Sequence, residues 1–195
     1  MIRFAMMRHG HTAWNRAHRI QGRTDIPLDD QARADLSAFA LPQEWKEADL
    51  YATPLSRARE TAQIVAGRQA QVVDALIEMD WGRWEGQKGL DLKADPKSGF
   101  RDIEQWGWGY RPPGGESAAE VWDRVAPWLF GLKRDSLAVC HIGTMRMVLA
   151  KAYGWDFDGP APFAVKRNRL FVVELQGDEI RVADPSIIRL ERRDA

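Results

Sequence analysis

Arg8-His9-Gly10-His11-Thr12 sets an imidazole beside a guanidinium at the end of a short apolar run, Ile2 to Met7. Far along the chain stand Arg57, in Pro54-Leu55-Ser56-Arg57, and His141, directly after Leu137-Ala138-Val139-Cys140. An imidazole flanked by guanidinium groups suits attack on a phosphate monoester, because arginines bind the equatorial oxygens in pairs, neutralise the dianion and hold it in line. In that chemistry His9 attacks as the neutral tautomer, and Arg8 and Arg57 favour this form by lowering its pKa. His141 offers a further hydrogen bond to the transferring group.

The leaving alkoxide then needs a proton, and the water that cleaves a phosphohistidine needs a base. One carboxyl group serves both steps. Glu78, in Leu76-Ile77-Glu78-Met79-Asp80-Trp81-Gly82-Arg83-Trp84-Glu85-Gly86, is the candidate, in an aromatic surrounding of the kind that raises a carboxyl pKa. Asp80 and Glu85 are rivals that spacing does not separate from it, just as Arg59 competes with Arg57 for the clamp. A metal site of His9, His11 and His141 is the opposing reading, but Arg8 and Arg57 repel a dication and no carboxylate completes a ligand set. His11 reads as a rim residue and His18 as solvated. Cys140 reads as a buried structural thiol, since neighbouring strand residues face opposite sides and keep it from His141.

The elements that must position these groups alternate strand and helix, which predicts an α/β sheet covered on both faces. Ile2 to Met7 reads as a buried strand, Asp30 to Ala40 as a helix and Leu50 to Ala52 as a strand. A helix follows over Pro54 to Ala66, with Pro54 at its first position. After the Trp- and Gly-rich stretch from Glu78 to Gly115, Ser117 and Glu120 form a capping box for a helix to about Leu132. Leu137 to Cys140 is a strand and Thr144 to Tyr153 a helix; Leu170 to Leu175, Gln176-Gly177-Asp178 and Glu179 to Ala183 form a hairpin at the sheet edge. In open α/β sheets ligands bind beyond the carboxyl ends of strands. Arg8-His9, Arg57 and His141 all fall at such junctions.

Bulk composition narrows the classes. With 195 residues the chain supports one domain, and 28 Lys plus Arg against 28 Asp plus Glu leave a net charge of zero. That balance removes the broad basic field nucleic-acid binding relies on. The apolar N-terminal run is too short to span a membrane and lacks a small-residue cleavage site, so the expected setting is the cytoplasm. A single cysteine excludes an intrachain disulfide. Trp81, Trp84, Trp106, Trp108 and Tyr110 read as packing with partial lining of a substrate cap over residues 79–115.

Arg8-His9-Gly10-x-Thr12-x-Trp14-Asn15 with Arg19-x-Gln21-Gly22-x-x-Asp25-x-Pro27-Leu28 resembles the opening of the histidine phosphatase superfamily, in its phosphoglycerate-mutase-like branch. The resemblance continues through Pro54 to Ala62, Glu78 with Gly82-x-Trp84-Glu85-Gly86, Pro113-Gly114-Gly115-Glu116-Ser117 and His141-x-Gly143-x-x-Arg146. It departs at Ala32, Thr53 and Ile142, where glycine, serine and glycine are usual. It implies a three-layer sandwich with a mixed, mostly parallel sheet, no metal or other cofactor, His9 as nucleophile and Glu78 as proton donor. It further implies Arg8, Arg57 and His141 as the phosphate pocket, with Asn15, Gln21, Gly22, Ile142 and Gly143 completing the phosphate-binding set.

Cofactor-dependent mutases of this family resemble longer chains with a basic insertion, whereas only Gln87 to Arg111 separates Gly86 from Pro112-Pro113 here. The chain is more similar to the short phosphatases acting on α-ribazole phosphate, phosphoglycerate or other small monoesters. A phosphatase of a small phosphorylated metabolite is therefore the expectation, as a monomer or homodimer without nucleic-acid or membrane partners. A phosphoglycerate mutase and a catalytically silent phospholigand-binding module are the alternatives.

Overall fold

The strand β1 (Ile2–Arg8) sends Phe4 and Met6 into one apolar core and Ala5 and Met7 into another. Burial on both faces explains its nearly unbroken apolar sequence. In the computed structural model, which describes residues 1–193, the elements that follow are α1 (Ala13–Arg16), α2 (Asp30–Ser37), β2 (Phe39–Ala40), β3 (Asp49–Ala52), α3 (Ser56–Ala66), β4 (Gln71–Val72) and α4 (Gly89–Ala94). The chain continues as α5 (Ala118–Phe130), β5 (Ser136–Cys140), α6 (Ile142–Tyr153), β6 (Arg169–Gln176), β7 (Glu179–Arg189) and β8 (Glu191–Arg192). Residues 194 and 195 of the expected 1–195 domain lie outside the described residues.

Six strands form one sheet in the order β4-β3-β5-β1-β6-β7. The first four run parallel, and β6 runs antiparallel to both its neighbours, β1 and β7, so the sheet is mixed and mostly parallel as expected. One face is covered by α5 and α6, through Val121, Val125, Leu129, Met145 and Val148; the other by α2 and α3, through Ala32, Leu36, Ala58, Ala62 and Val65. Each such fully buried Val or Leu contributes about 1.5–3 kcal/mol.

Several boundaries differ from the sequence reading, each for a local reason. The helix expected to reach Ala40 stops at Ser37, because Phe39 and Ala40 pair with Arg192 and Glu191 in a separate two-stranded sheet. α3 begins at Ser56 rather than Pro54: Leu55 occupies the cap position, and Asp25 takes the Ser56 N–H at 2.9 Å in place of a local cap. α5 ends at Phe130, ahead of Leu132, with Gly131 at its C-cap, whereas the Ser117 and Glu120 capping box forms with both bonds in place. α6 starts at Ile142, before the expected Thr144, with consequences for Glu78. The hairpin turns at Gly177 and Asp178, and β7 lies at the sheet edge but runs on to Arg189, past Ala183.

In the 79–115 segment Trp84 and Trp106 are buried, and Trp81 and Tyr110 pack edge-on or tilted against them. No helix among the described residues is long and apolar enough to cross a membrane.

Candidate active site

Three strand ends meet at one cavity edge. β1 delivers Arg8 and His9, the turn after β3 delivers Thr53 and then Arg57 at the second position of α3, and β5 delivers His141 as the cap residue of α6. The His9 N–H donates to the Cys140 carbonyl at 3.1 Å, continuing the β1 and β5 ladder past the strand ends. A cavity of about 210 Å³ opens there, lined by Arg8, His9, Asn15, Gln21, Gly22, Arg57, Glu78 and Ile142 among the expected residues. Arg19, Ile20, Trp81 and Arg146 complete the lining. His141 lies just behind, its ring centroid 5.1 Å from that of His9.

His9 is only 2% exposed, and its Nδ1 lies 2.6 Å from the Gly10 carbonyl oxygen. A carbonyl only accepts, so Nδ1 carries the proton and Nε2 is left with the lone pair. Burial, more than the charges of His141, Arg57 and Arg8, holds the His9 pKa well below its ordinary value. Arg57 and Arg8 lower it as expected, after burial and His141. His141 is likewise held well below by burial, then by Arg57 and Arg8; its Nε2 contacts Thr53 Oγ1 at 2.7 Å.

Arg57 is fully buried, and its Nη1 and Nη2 donate to the carbonyls of Thr24 and Gly22 at 2.8 and 2.7 Å. Its rival Arg59 is exposed on the outer face of α3. Burial lowers the Arg57 pKa, and pushes Arg8 down to about 9 with help from Arg167. Asn15 Oδ1 already accepts from the Thr12 N–H and from Arg167, which leaves its amide NH₂ for another partner. Gln21 is tied through Oε1 to the Thr12 hydroxyl at 2.7 Å.

Glu78 is 5% exposed, but its carboxylate is held by backbone rather than by the aromatic faces expected around it. Oε1 accepts from the N–H groups of Met79 at 2.8 Å and Thr144 at 3.1 Å, and Oε2 from Gly143 at 3.1 Å. The early start of α6 makes this seat, because a helix N-terminus presents unpaired N–H groups to an anion. Gly143, expected to bind phosphate, therefore gives its N–H to Glu78, and it is not among the cavity-lining residues. The rivals are occupied elsewhere. Glu85 accepts from the Arg23 and Thr24 N–H groups and the Thr24 hydroxyl, while Asp80 accepts from the Gly82 N–H.

Two arginines given no role by the sequence reading belong to the site. Arg146 lines the cavity one helical turn after Ile142, and this i,i+4 spacing is a signal visible in the sequence. Arg167 donates from Nε to the His9 carbonyl at 3.2 Å and from Nη2 to Asn15 Oδ1 at 2.9 Å, a long-range contact with no sequence signal. Cys140 is buried, and burial raises its thiol pKa, in keeping with a structural role. Among the described residues, no group of three or more His, Cys, Asp and Glu is suited to hold a metal ion. A cavity with four guanidinium groups and one carboxylate on its wall is built for an anion smaller than itself.

Comparison with known proteins places the chain in a family. The glucosyl-3-phosphoglycerate phosphatase of Mycolicibacterium vanbaalenii is 31% identical over 159 residues, covering 78% of this chain and 69% of that one. A 2,3-bisphosphoglycerate-dependent phosphoglycerate mutase of Gloeothece citriformis is 26% identical over 192 residues, covering 79% and 80%. A crystal structure from Thermus thermophilus superposes with a TM-score of 0.74 at 29% identity, covering 100% of this chain and 98% of that one. Residues 4–187 match the family model of the histidine phosphatase superfamily, branch 1, and to that family this chain belongs.

Proposed function

We propose that this chain is a metal-independent phosphatase that hydrolyses a small phosphomonoester through a phosphohistidine on His9. The observation that carries the proposal is the Nδ1 contact of His9 with the Gly10 carbonyl at 2.6 Å, which leaves Nε2 as the free nitrogen of a ring lining an arginine-rich cavity. Arg8 and Arg57 bind the phosphoryl oxygens, and the Asn15 amide adds a hydrogen bond. Nε2 forms a bond to phosphorus as the bond to the leaving oxygen breaks, and Glu78, having taken the proton of the incoming phosphomonoester monoanion, gives that oxygen its proton. Glu78 then takes a proton from the water that attacks the phosphohistidine, so phosphate leaves and His9 returns to neutrality. With the Thr53 hydroxyl donating to Nε2 of His141, Nδ1 of His141 carries a proton for the transferring group.

The mutase reading has support from the named relative. Against it, Trp81 is the one lining residue from the 79–115 segment, so the cap brings no cation of its own to the cavity. The test is hydrolysis of 4-nitrophenyl phosphate in excess chelator, with acid-labile phosphate trapped on the protein. Wild type turns over and is labelled, and His9→Ala, folded by circular dichroism, does neither. Equal turnover by the variant refutes the nucleophile. Phosphoglycerate isomerisation that is stimulated by bisphosphoglycerate and outpaces phosphate release establishes the mutase, and phosphate-analogue binding without any label establishes a silent module.

A further inference from the structure

Glu78 lies in a stretch from 77 to 81 that belongs to no helix or strand, so no ladder or helical turn fixes its backbone, and side chains hold it. Three converge on it from separate places in the chain. Arg124, on α5, donates to the carbonyl of Ala75 at 2.5 Å and through Nη2 to those of Ile77 and Glu78 at 2.7 and 3.3 Å. Arg23 donates from Nε to the Glu78 carbonyl at 3.3 Å.

Glu116 joins the two arginines. Its Oε1 accepts from Arg23 Nη2 at 2.7 Å and from Arg124 Nε at 3.0 Å, and its Oε2 from Arg124 Nη2 at 3.2 Å and the Asp80 N–H at 3.0 Å. One carboxylate thus orients both guanidinium groups and also holds the backbone two residues past Glu78. Burial pushes the Glu116 carboxyl up, but Arg124, the Asp80 N–H and Arg23 outweigh it and hold it below its ordinary range. None of the three side chains lines the cavity.

We propose that Glu116, through Arg23 and Arg124, is a positioning residue that fixes Glu78 for proton transfer to the leaving group. This rests on the reading of Glu78 as proton donor. The far side of the Glu78 seat is the start of α6; the near side is this carboxylate with its two arginines, and without it the guanidinium groups that grip the carbonyls of 75, 77 and 78 lose their common partner and the Asp80 N–H its acceptor, while the phosphate clamp stays intact. The loss therefore falls on proton transfer and spares phosphate binding.

Leaving groups separate that role from general support of the fold. Nitrophenolate departs without protonation, whereas an alkoxide needs the acid. The rate of phosphohistidine formation is measured by rapid quench with 4-nitrophenyl phosphate and with glycerol 3-phosphate, on wild type, Glu116→Gln, Arg23→Gln, Glu116→Asp and Glu78→Gln. Glu116→Gln is expected to slow the alkyl substrate about tenfold or more, a part of the roughly 10²–10⁴ that general acid catalysis supplies, and the aryl substrate far less. Arg23→Gln, at a half-exposed site, is expected to show the same selective loss, Glu116→Asp to restore part of it, and KM for both substrates to hold. In the Glu78→Gln background, Glu116→Gln should cost nothing further. Equal slowing of both substrates, or of neither, by Glu116→Gln and Arg23→Gln overturns the proposal while leaving the nucleophile reading standing. If Glu78→Gln itself shows no preference between leaving groups, the proton-donor reading fails and the proposal with it.

Discussion

Gly143→Ala is an ordinarily harmless change that this structure makes costly. Gly143 is the second residue of α6, and alanine in a helix is usually favoured over glycine by about 1 kcal/mol. A Cβ at this position, however, meets Glu78 Oε1 at 2.3 Å, Glu78 Cδ at 3.1 Å and Met79 Cβ at 3.2 Å. The carboxylate must move, and with it go the bonds from the Gly143 and Thr144 N–H groups, each 3.1 Å long. Hydrogen bonds to a charged acceptor are worth roughly 1.5–3 kcal/mol each, so their loss less the helical gain leaves about 2–5 kcal/mol of destabilisation. For a chain of this size that is a fall in Tm of roughly 4–20 °C. Urea unfolding and thermal melts read the stability, and glycerol 3-phosphate hydrolysis reads the activity, which should fall by about 10² or more as the proposed proton donor is displaced. A variant as stable as wild type or more so, with unchanged kcat, would refute the claim that the start of α6 holds Glu78.

Two other perturbations follow from the histidines. His9 and His141 are held well below the ordinary 6.5 chiefly by burial, so above pH 6.5 both folded and unfolded chains carry them neutral and neither affects stability. As pH falls below 6.5 only the unfolded chain takes up the protons, and stability should drop by about 1.4 kcal/mol per pH unit for each imidazole until its folded-state pKa is reached. Urea midpoints at pH 7.5 and 5.5 check this, and the slope should be shallower in His141→Asn. Thr53→Val removes the partner of His141 Nε2 in a fully buried setting and should cost about 1–3 kcal/mol together with slower phosphohistidine formation, whereas Thr53→Ser should restore both.

What the sequence shows and what it hides divide along the range of the interaction involved. The strands β1 and β5 are legible because both faces are buried and their residues are almost all apolar. The α5 start is legible because Ser117 and Glu120 satisfy each other within four residues of chain. The beginning of α6 is not, since Ile142 and Gly143 make a poor helix start and the carboxylate that completes it is Glu78, 65 positions upstream of Gly143. The same distance hides the choice among Glu78, Asp80 and Glu85: all three are acidic and closely spaced, and only the tertiary fold assigns Glu85 to the Arg23 and Thr24 backbone. Arg167 reaches the His9 carbonyl across 158 positions, from the run Lys166-Arg167-Asn168-Arg169.

A chain with zero net charge makes a cationic cavity by controlling what its arginines are paired with. Arg57 could be buried against a carboxylate, which would orient it and cancel its charge. It is instead oriented by the carbonyls of Gly22 and Thr24, which fix a guanidinium without neutralising it. The nearby acids are spent on backbone: Asp25 on the first turn of α3, Glu85 on the loop that supplies those carbonyls. Among the described residues, the buried side-chain nitrogens without a partner are Arg8 Nε, Arg57 Nε, His141 Nδ1 and Trp45 Nε1, and the first three surround His9. Each unpaired buried group costs the free protein roughly 1–3 kcal/mol, a cost that persists only where something offsets it. An incoming phosphoryl group offers acceptor oxygens and negative charge together, so one ligand answers both the unpaired donors and the uncompensated guanidinium charge, and the binding it gains is larger because the fold has left those groups unsatisfied.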